Sequence, residues 1–250
     1  SSSVMHELCY ATSEKPTGKF TYRGVLVSNC DMHIDTYKPA DMPSAYGGNN
    51  HGSIVEISGE WYIFYHRHTN GTWFSRQGCA EKLPIREDGL FGQAELTSCG
   101  LNGGPLAGEG YYPSCIACHL FTDRPVIYVG DSDKPEYVNG SFPKIVKEGW
   151  DGDQNEGYIT NMYDQCTAGF RYFDLSHVSE ITLTIRGYAY GSMEIRTSFE
   201  GSAVKTIPLH YSNIWRDIKT EIKLPEGADS LYFTYRGPGS ASFKGFTLNC

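Results

Sequence analysis

The sequence predicts an all-β chain, an antiparallel meander of the kind that builds propeller blades followed by a β-sandwich or jelly roll. Three observations point there. Aromatic residues make up 14% of the 250 residues, 18 of them Tyr, beside 28 Gly and 12 Pro, the mixture of strand formers and turn formers that short strands require. Segments with a period of two recur about every ten residues in the second half, separated by turn signals. No segment shows a convincing helical repeat.

The elements read off in order. Two strand candidates, MHELCYATS and FTYRGVLVS, flank a Lys15-Pro16-Thr17-Gly18 turn, and a polar loop follows to Asn50. HGSIVEI and WYIFYHRH then form the clearest hairpin, closed around Ser58-Gly59-Glu60, with Ile54 and Glu56 and then Trp61, Ile63 and Tyr65 alternating between faces. Next come WFSRQGCAEKLPI, the turn Glu87-Asp88-Gly89, and GQAELTSCG. From Phe121 to Gly157 the chain turns polar, rich in Asp, Glu, Lys, Gly and Pro, and reads as a surface connector. Eight strand candidates follow: GYITNMYD, AGFRYFDL, EITLTIRGYA, GSMEIRTSF, KTIPLHY, RDIKTEIKL, SLYFTYRG and ASFKGFTL. The expected organisation is residues 1–120, a connector over 121–157, and a sandwich over 158–250.

Composition narrows the partners. A net charge of -8 and pI near 5.5 exclude nucleic acid, which needs a basic stripe, and leave neutral polymers open. No apolar run approaches the roughly 20 residues a bilayer crossing takes, so no membrane is expected. The eight cysteines (Cys9, Cys30, Cys79, Cys99, Cys115, Cys118, Cys166, Cys250) are scattered and leave both an exporting and a cytoplasmic compartment open. Cys115-x-x-Cys118 with His119 stands alone, without the second ligand pair of a zinc site, and reads as strand sequence. Residues 1–15 carry no basic region followed by an apolar stretch, hence no signal peptide.

GGNNHGSIVEISGEWYIFYHRHTNGTWFSRQGCAE resembles the last blade of glycoside hydrolase family 43. QAELTSCGLNGGPL looks like the end of that catalytic domain, and HELCYATSEKPTGKFTYRGVLVSN like the close of the preceding blade. Residues 150–250, ending in SASFKGFTL, are similar to carbohydrate-binding module family 6. The resemblance implies the last blades of a five-bladed propeller, an extracellular setting, and inverting hydrolysis of β-xylosides or α-L-arabinofuranosides in xylan or arabinoxylan. Inversion takes a carboxylate that activates water and a carboxylic acid that protonates the leaving oxygen. In the family these come from earlier blades, so no catalytic residue is assigned here and a separate N-terminal propeller segment is an expected partner. Glu7, Glu56, Glu60 and Glu95 read as solvated strand or turn charges.

Two propeller residues carry over from the family. His51, in NNHGS, matches its axial His, which helps hold a calcium ion at the propeller centre through waters. Arg76, in FSRQ, matches an Arg that reaches the sugar with its planar fork. His66 and His68 alternate with their neighbours on one strand, and Asn49, Asn50 and Asn102 could meet hydroxyls or simply make turns. In the sandwich, Phe170, Tyr172 and Trp215 are the candidates for stacking on a pyranose. Ser240 and Ser242 stand where the family's cleft adds an Asn. A non-catalytic carbohydrate-binding protein, or a structural piece that pairs with another chain, are the competing readings.

Overall fold

The computed structural model describes residues 6–45, 47–70, 76–122, 142–149 and 156–250. Among them no α-helix occurs, only single 3-10 turns at Gly100–Asn102 and Ser114–Ile116. β1 (Glu7–Thr12) and β2 (Thr21–Ser28) form a hairpin, its turn closed by Gly18 N–H donating to the Lys15 carbonyl at 2.9 Å. β3 (Ser53–Ile57), β4 (Glu60–His68) and β5 (Arg76–Lys82) form a three-stranded meander. Ile57 pairs directly with Glu60, so only Ser58 and Gly59 make the turn. Both have positive φ, 54° and 85°, as a two-residue hairpin matched to strand twist demands. Leu26, Val27, Ile63, Tyr65, Leu83 and Leu96 form the small core of this half. GQAELTSCG, expected as a strand, makes only a single parallel bridge from Ala94 to Val27. The start of the expected strand before Arg76 lies outside the described residues.

The second half is a sandwich of two antiparallel sheets. Its strands are β6 (Gly110–Pro113), β7 (His119–Phe121), β8 (Lys144–Lys147), β9 (Gly157–Met162), β10 (Thr167–Arg171), β11 (Glu180–Gly187), β12 (Ser192–Arg196), β13 (Lys205–Pro208), β14 (Ser212–Glu221), β15 (Ser230–Arg236) and β16 (Ala241–Asn249). One sheet runs β13-β12-β15-β10-β7 and the other β14-β11-β16-β9-β8, with β6 beside the second part of β16. Alternate residues point inward, as the buried Ile181, Leu183 and Ile185 of β11 show, and the two inner faces meet in one apolar core. All eight strands expected after residue 157 are present.

The expected boundary at residue 120 moves. β6 and β7 lie in the stretch assigned to the propeller, yet β6 pairs with β16 and β7 with β10. β8, inside the expected connector, pairs with β9; residues 123–141 and 150–155 of that connector lie outside the described residues. The reason is physical. The edges of β10 and β16 would expose unpaired backbone groups, and short flanking segments cover them, while four-residue and three-residue strands leave little pattern in a sequence.

The two halves share buried polar contacts. Arg67 on β4 donates to the carbonyls of Ala117 and Cys118, both at 2.9 Å. Arg171 at the end of β10 is fully buried and reaches back to Asp31, Glu95 and the Leu96 carbonyl.

Candidate functional site

The period of two along β4 and the pairing of His68 with Arg76 place His66, His68 and Arg76 on one face of the meander. His51, just ahead of β3, joins them: its Nδ1 lies 3.2 Å from His66 Nε2, and the His66 and His68 rings are 5.6 Å apart. His51 and Arg76 are exposed, His66 half-buried and His68 buried. The loop before β3 fixes this group. His68 Nε2 bonds to Asn49 Oδ1, and Asn50 donates to Asn29 Oδ1 at 2.9 Å. Gly48 packs flat on the His68 ring, where a Cβ would lie 2.3 Å from Cδ2. Asn49 and Asn50 therefore brace the site, while Asn102 donates to the carbonyls of Gly104 and Pro105 in its own turn.

The face gathers three imidazoles beside one guanidinium. Burial holds His66 below the usual imidazole range, and the charge of Arg76 and the neighbouring His68 and His51 push the same way. A neutral imidazole both donates and accepts, and the Arg76 fork adds paired donors. Among the described residues no group of three or more His, Cys, Asp or Glu side chains is arranged to hold a metal ion.

The carboxylates are otherwise engaged. Glu56 and Glu60 are exposed at the turn end of the β3–β4 hairpin, Glu60 pairing with Lys82 at 2.9 Å, in keeping with solvated charges. Glu7 is not solvated, and Glu95 is half-buried. The Glu7 side chain is 3% exposed and meets His33 at 2.9 Å. Glu95 is held by Arg171 at 2.9 Å and by the Tyr172 hydroxyl. Sequence reasoning passed over Glu81, which is buried and pushed up to about 8 by desolvation; it lies an odd number of residues along β5 from Arg76 and so on the opposite face. Its one signal was position, facing Ile63 across the ladder.

The three sandwich candidates have different fates. Phe170 is a correction: it is fully buried and packs edge-on against Phe233 and Phe246 at ring separations of 5.6 and 5.0 Å, so no sugar reaches it. Tyr172 does not face the outside of the sandwich. It lines a cavity of about 440 Å³ between the halves with Glu81, Glu95, Thr97, Cys99 and Pro105. Trp215 does stand on the outer face of the six-stranded sheet, half-buried, at right angles to Tyr158 with ring centroids 5.1 Å apart. The Arg186 guanidinium lies 4.2 Å over the Trp215 ring, donates to the Tyr158 hydroxyl at 3.0 Å and pairs with Glu148. Ser242 Oγ is bonded to Thr160 at 2.9 Å. A pyranose stacking on Trp215 would therefore meet a guanidinium already spread over that ring.

Cys115 and Cys118, with the other six cysteines, are free thiols. His119 is buried among Tyr37, Phe199 and Tyr232, its ring 4.9 Å from that of Tyr37, and desolvation, then the charge of Arg171, holds it well below the usual imidazole range.

No family model matches the chain. Over 248 residues it is 57% identical to a xylosidase/arabinosidase of Thermoclostridium stercorarium, an alignment covering 99% of this chain and 52% of the relative. An arabinoxylan arabinofuranohydrolase of Paenibacillus polymyxa is 22% identical over 249 residues, 94% of this chain and 35% of its own length. Among solved structures, a glycoside hydrolase family 43 arabinoxylan arabinofuranohydrolase from Bacillus subtilis, in complex with cellotetraose, aligns with a TM-score of 0.48 at 19% identity, over 97% of this chain and 47% of its own. A family 6 carbohydrate-binding module from Clostridium stercorarium, with cellobiose, aligns with a TM-score of 0.44 at 12% identity, over 59% of this chain and 98% of its own. The chain spans about half the length of the first of these relatives and about a third of the second.

Proposed function

We propose that this chain is the C-terminal part of an inverting glycoside hydrolase of family 43 that acts on xylose- or arabinose-containing plant polysaccharide. It is of the β-xylosidase or α-L-arabinofuranosidase type and works outside the cell, with its catalytic carboxylates in preceding polypeptide and the sandwich holding the polymer. The observation that carries the reading is the His51, His66, His68 and Arg76 face, in a chain so similar along its length to a xylosidase/arabinosidase. The open surface of the first half supports it too: all five residues of β3 are exposed, as are Phe20 and Tyr22. A blade shows such a surface where another blade should pack.

In this reading Arg76 holds two sugar hydroxyls, and the exposed His51, steadied by His66 Nε2 at its Nδ1, donates or accepts a third bond. These contacts fix the ring while an acid and a base from preceding blades flank the glycosidic bond, about 6.5–9.5 Å apart to admit a water. Calcium is a poor direct fit at His51, because the side chains gathered there are nitrogen donors and a hard cation takes oxygen; no step is routed through it. The chain alone is expected to leave p-nitrophenyl β-xyloside and α-L-arabinofuranoside intact. Joined to the polypeptide that precedes it, it should hydrolyse one of them, and Arg76→Ala should then lower kcat/KM at least tenfold, about 1.4 kcal/mol of transition-state stabilisation. Robust turnover by the chain alone, or full activity in Arg76→Ala, would overturn the assignment.

A non-catalytic carbohydrate-binding protein is the second reading. The half-buried Trp215 on the outer sheet face is what recommends it, although Arg186 occupies a face of that ring.

A further inference from the structure

The cavity of about 440 Å³ between the halves has walls of two kinds. Ile34, Pro84, Pro105 and the Tyr172 ring make the apolar part, while Thr36, Glu81, Glu95 and Thr97 bring oxygen atoms. Thr36, Pro84 and Pro105 are exposed at the rim and Glu81 is buried, on the face of β5 opposite Arg76. Gly100 and Gly104 leave the space open, since a Cβ on either would meet nothing within 4 Å. We propose that this cavity binds a small uncharged polyol, the size of one sugar ring, and that the bound molecule ties the two halves together.

Charge argues for a neutral ligand. Three lining residues can be charged near pH 7, Glu81, Lys82 and Glu95. Lys82 pairs with Glu60 at 2.9 Å and Glu95 with Arg171 at 2.9 Å. Desolvation raises Glu81 to about 8, so it is mostly protonated. Among the described residues, then, no lining charge is left to draw an ion, and an ion entering would lose its hydration without a partner.

The polar groups argue for hydroxyls over a hydrocarbon. Thr36 Oγ1 donates to Glu95 Oε2 at 3.1 Å, yet a hydroxyl keeps lone pairs and a carboxylate oxygen accepts more than one bond. A purely apolar ligand would cover these groups and satisfy none of them. A polyol ring sets its C–H surface against Ile34, Pro84 and Pro105 and its hydroxyls toward Thr36 and Glu95. Ligand sites run from about 300 to 1,000 Å³ and favour the junctions between domains; this one lies low in that range, with room for one ring and not for a chain. Its lining comes from both halves. Glu95 of the first accepts from the Tyr172 hydroxyl of the second, and Cys99 Sγ accepts from the Tyr172 N–H at 3.3 Å.

The test uses the whole chain, with free D-xylose, L-arabinose and myo-inositol as probes; the inositol makes it independent of the pentose reading above. At a hundredfold excess over Kd, at least one probe should slow alkylation of Cys99 by iodoacetamide by about tenfold or more. The exposed Cys9 and Cys250, followed in the same peptide map, should react as before. The same probe should raise the thermal midpoint by about 5–10 °C. Thr36→Trp, which plugs the rim from an exposed position, should abolish that rise, and Thr36→Val, which removes one hydroxyl, should weaken the probe about three- to tenfold. A rise that survives Thr36→Trp, or that vanishes in Arg76→Ala with Cys99 unprotected, puts the sugar elsewhere; it overturns the cavity site and leaves the His51 and Arg76 reading standing. Cys99 alkylated equally fast with all three probes also overturns it.

Discussion

Replacing Arg171 with methionine should destabilise the chain by about 3–5 kcal/mol, the cost of leaving a buried charge without its partner. Arg171 is entirely buried. Its Nη2 lies 3.4 Å from Asp31 Oδ2, which is equally buried, and donates to the Leu96 carbonyl. Nη1 is 2.9 Å from Glu95, and the guanidinium plane lies 3.3 Å from the Tyr37 ring centroid. Desolvation already pushes Asp31 up to about 6, against the attraction of Arg171 and hydrogen bonds from Tyr37 and the Leu96 N–H. Without the guanidinium that carboxyl must either take a proton at neutral pH or sit charged in an apolar surround. The contact also bridges the two halves, so the loss should appear in both. The measurement is urea denaturation at pH 7 with one probe in each half. The double variant Arg171→Met/Asp31→Leu should recover part of the loss, because both buried charges are then gone. A cost under 1 kcal/mol for Arg171→Met, or strictly additive losses in the pair, would show that the cluster is not what joins the halves.

The fold was legible wherever a strand was long and alternated. The eight sandwich strands and the β3–β4 hairpin announced themselves through period-two burial and through Ser58-Gly59, residues that accept the positive φ of the turn. The edges were not legible. β6, β7 and β8 are three or four residues long and owe their conformation to the open edges of β16, β10 and β9, a tertiary cause that no local window contains. The same limit governs the candidate site. His51 and Arg76 meet because the β4–β5 register sets Arg76 opposite His68, which a family resemblance can suggest and spacing cannot. In AGFRYFDL the alternation of Phe170 and Tyr172 is real, yet nothing in it says which face is the core. Phe170 went inward among Phe233, Phe243 and Phe246, while Arg171, which the sequence did not mark out, is buried on the other side where it meets Asp31, 140 residues earlier.

The second large effect concerns pH and Glu81. Its carboxyl accepts from the Thr97 N–H at 2.8 Å and the Thr97 hydroxyl at 2.6 Å, with the Tyr65 hydroxyl at 3.4 Å, and Arg67 attracts its charge; desolvation outweighs all of these and raises it from 4.5 to about 8. A carboxyl raised on folding binds its proton more tightly in the folded state. Its contribution is therefore fully present below about pH 4.5 and is lost as pH rises toward about 8. At about 1.36 kcal/mol per unit, the loss between pH 5 and pH 8 is on the order of 3 kcal/mol. His6, His66 and His119, all lowered by burial, work in the other direction, gaining stability as pH rises through the unfolded imidazole value near 6.5. Asp31, raised to about 6, adds to the Glu81 trend between 3.8 and 6. The total curve thus mixes signs, but the difference between the unsubstituted chain and Glu81→Gln isolates one group. Gln keeps an acceptor for the Thr97 N–H and can donate to its hydroxyl, as the protonated acid does. Glu81→Gln should accordingly be close to neutral at pH 5 and stabilising by about 3 kcal/mol at pH 8, read from urea midpoints at half-unit intervals. A difference that stays flat across that range would mean that Glu81 is ionised at pH 5 in the folded chain, its charge held by Arg67 and Thr97 after all.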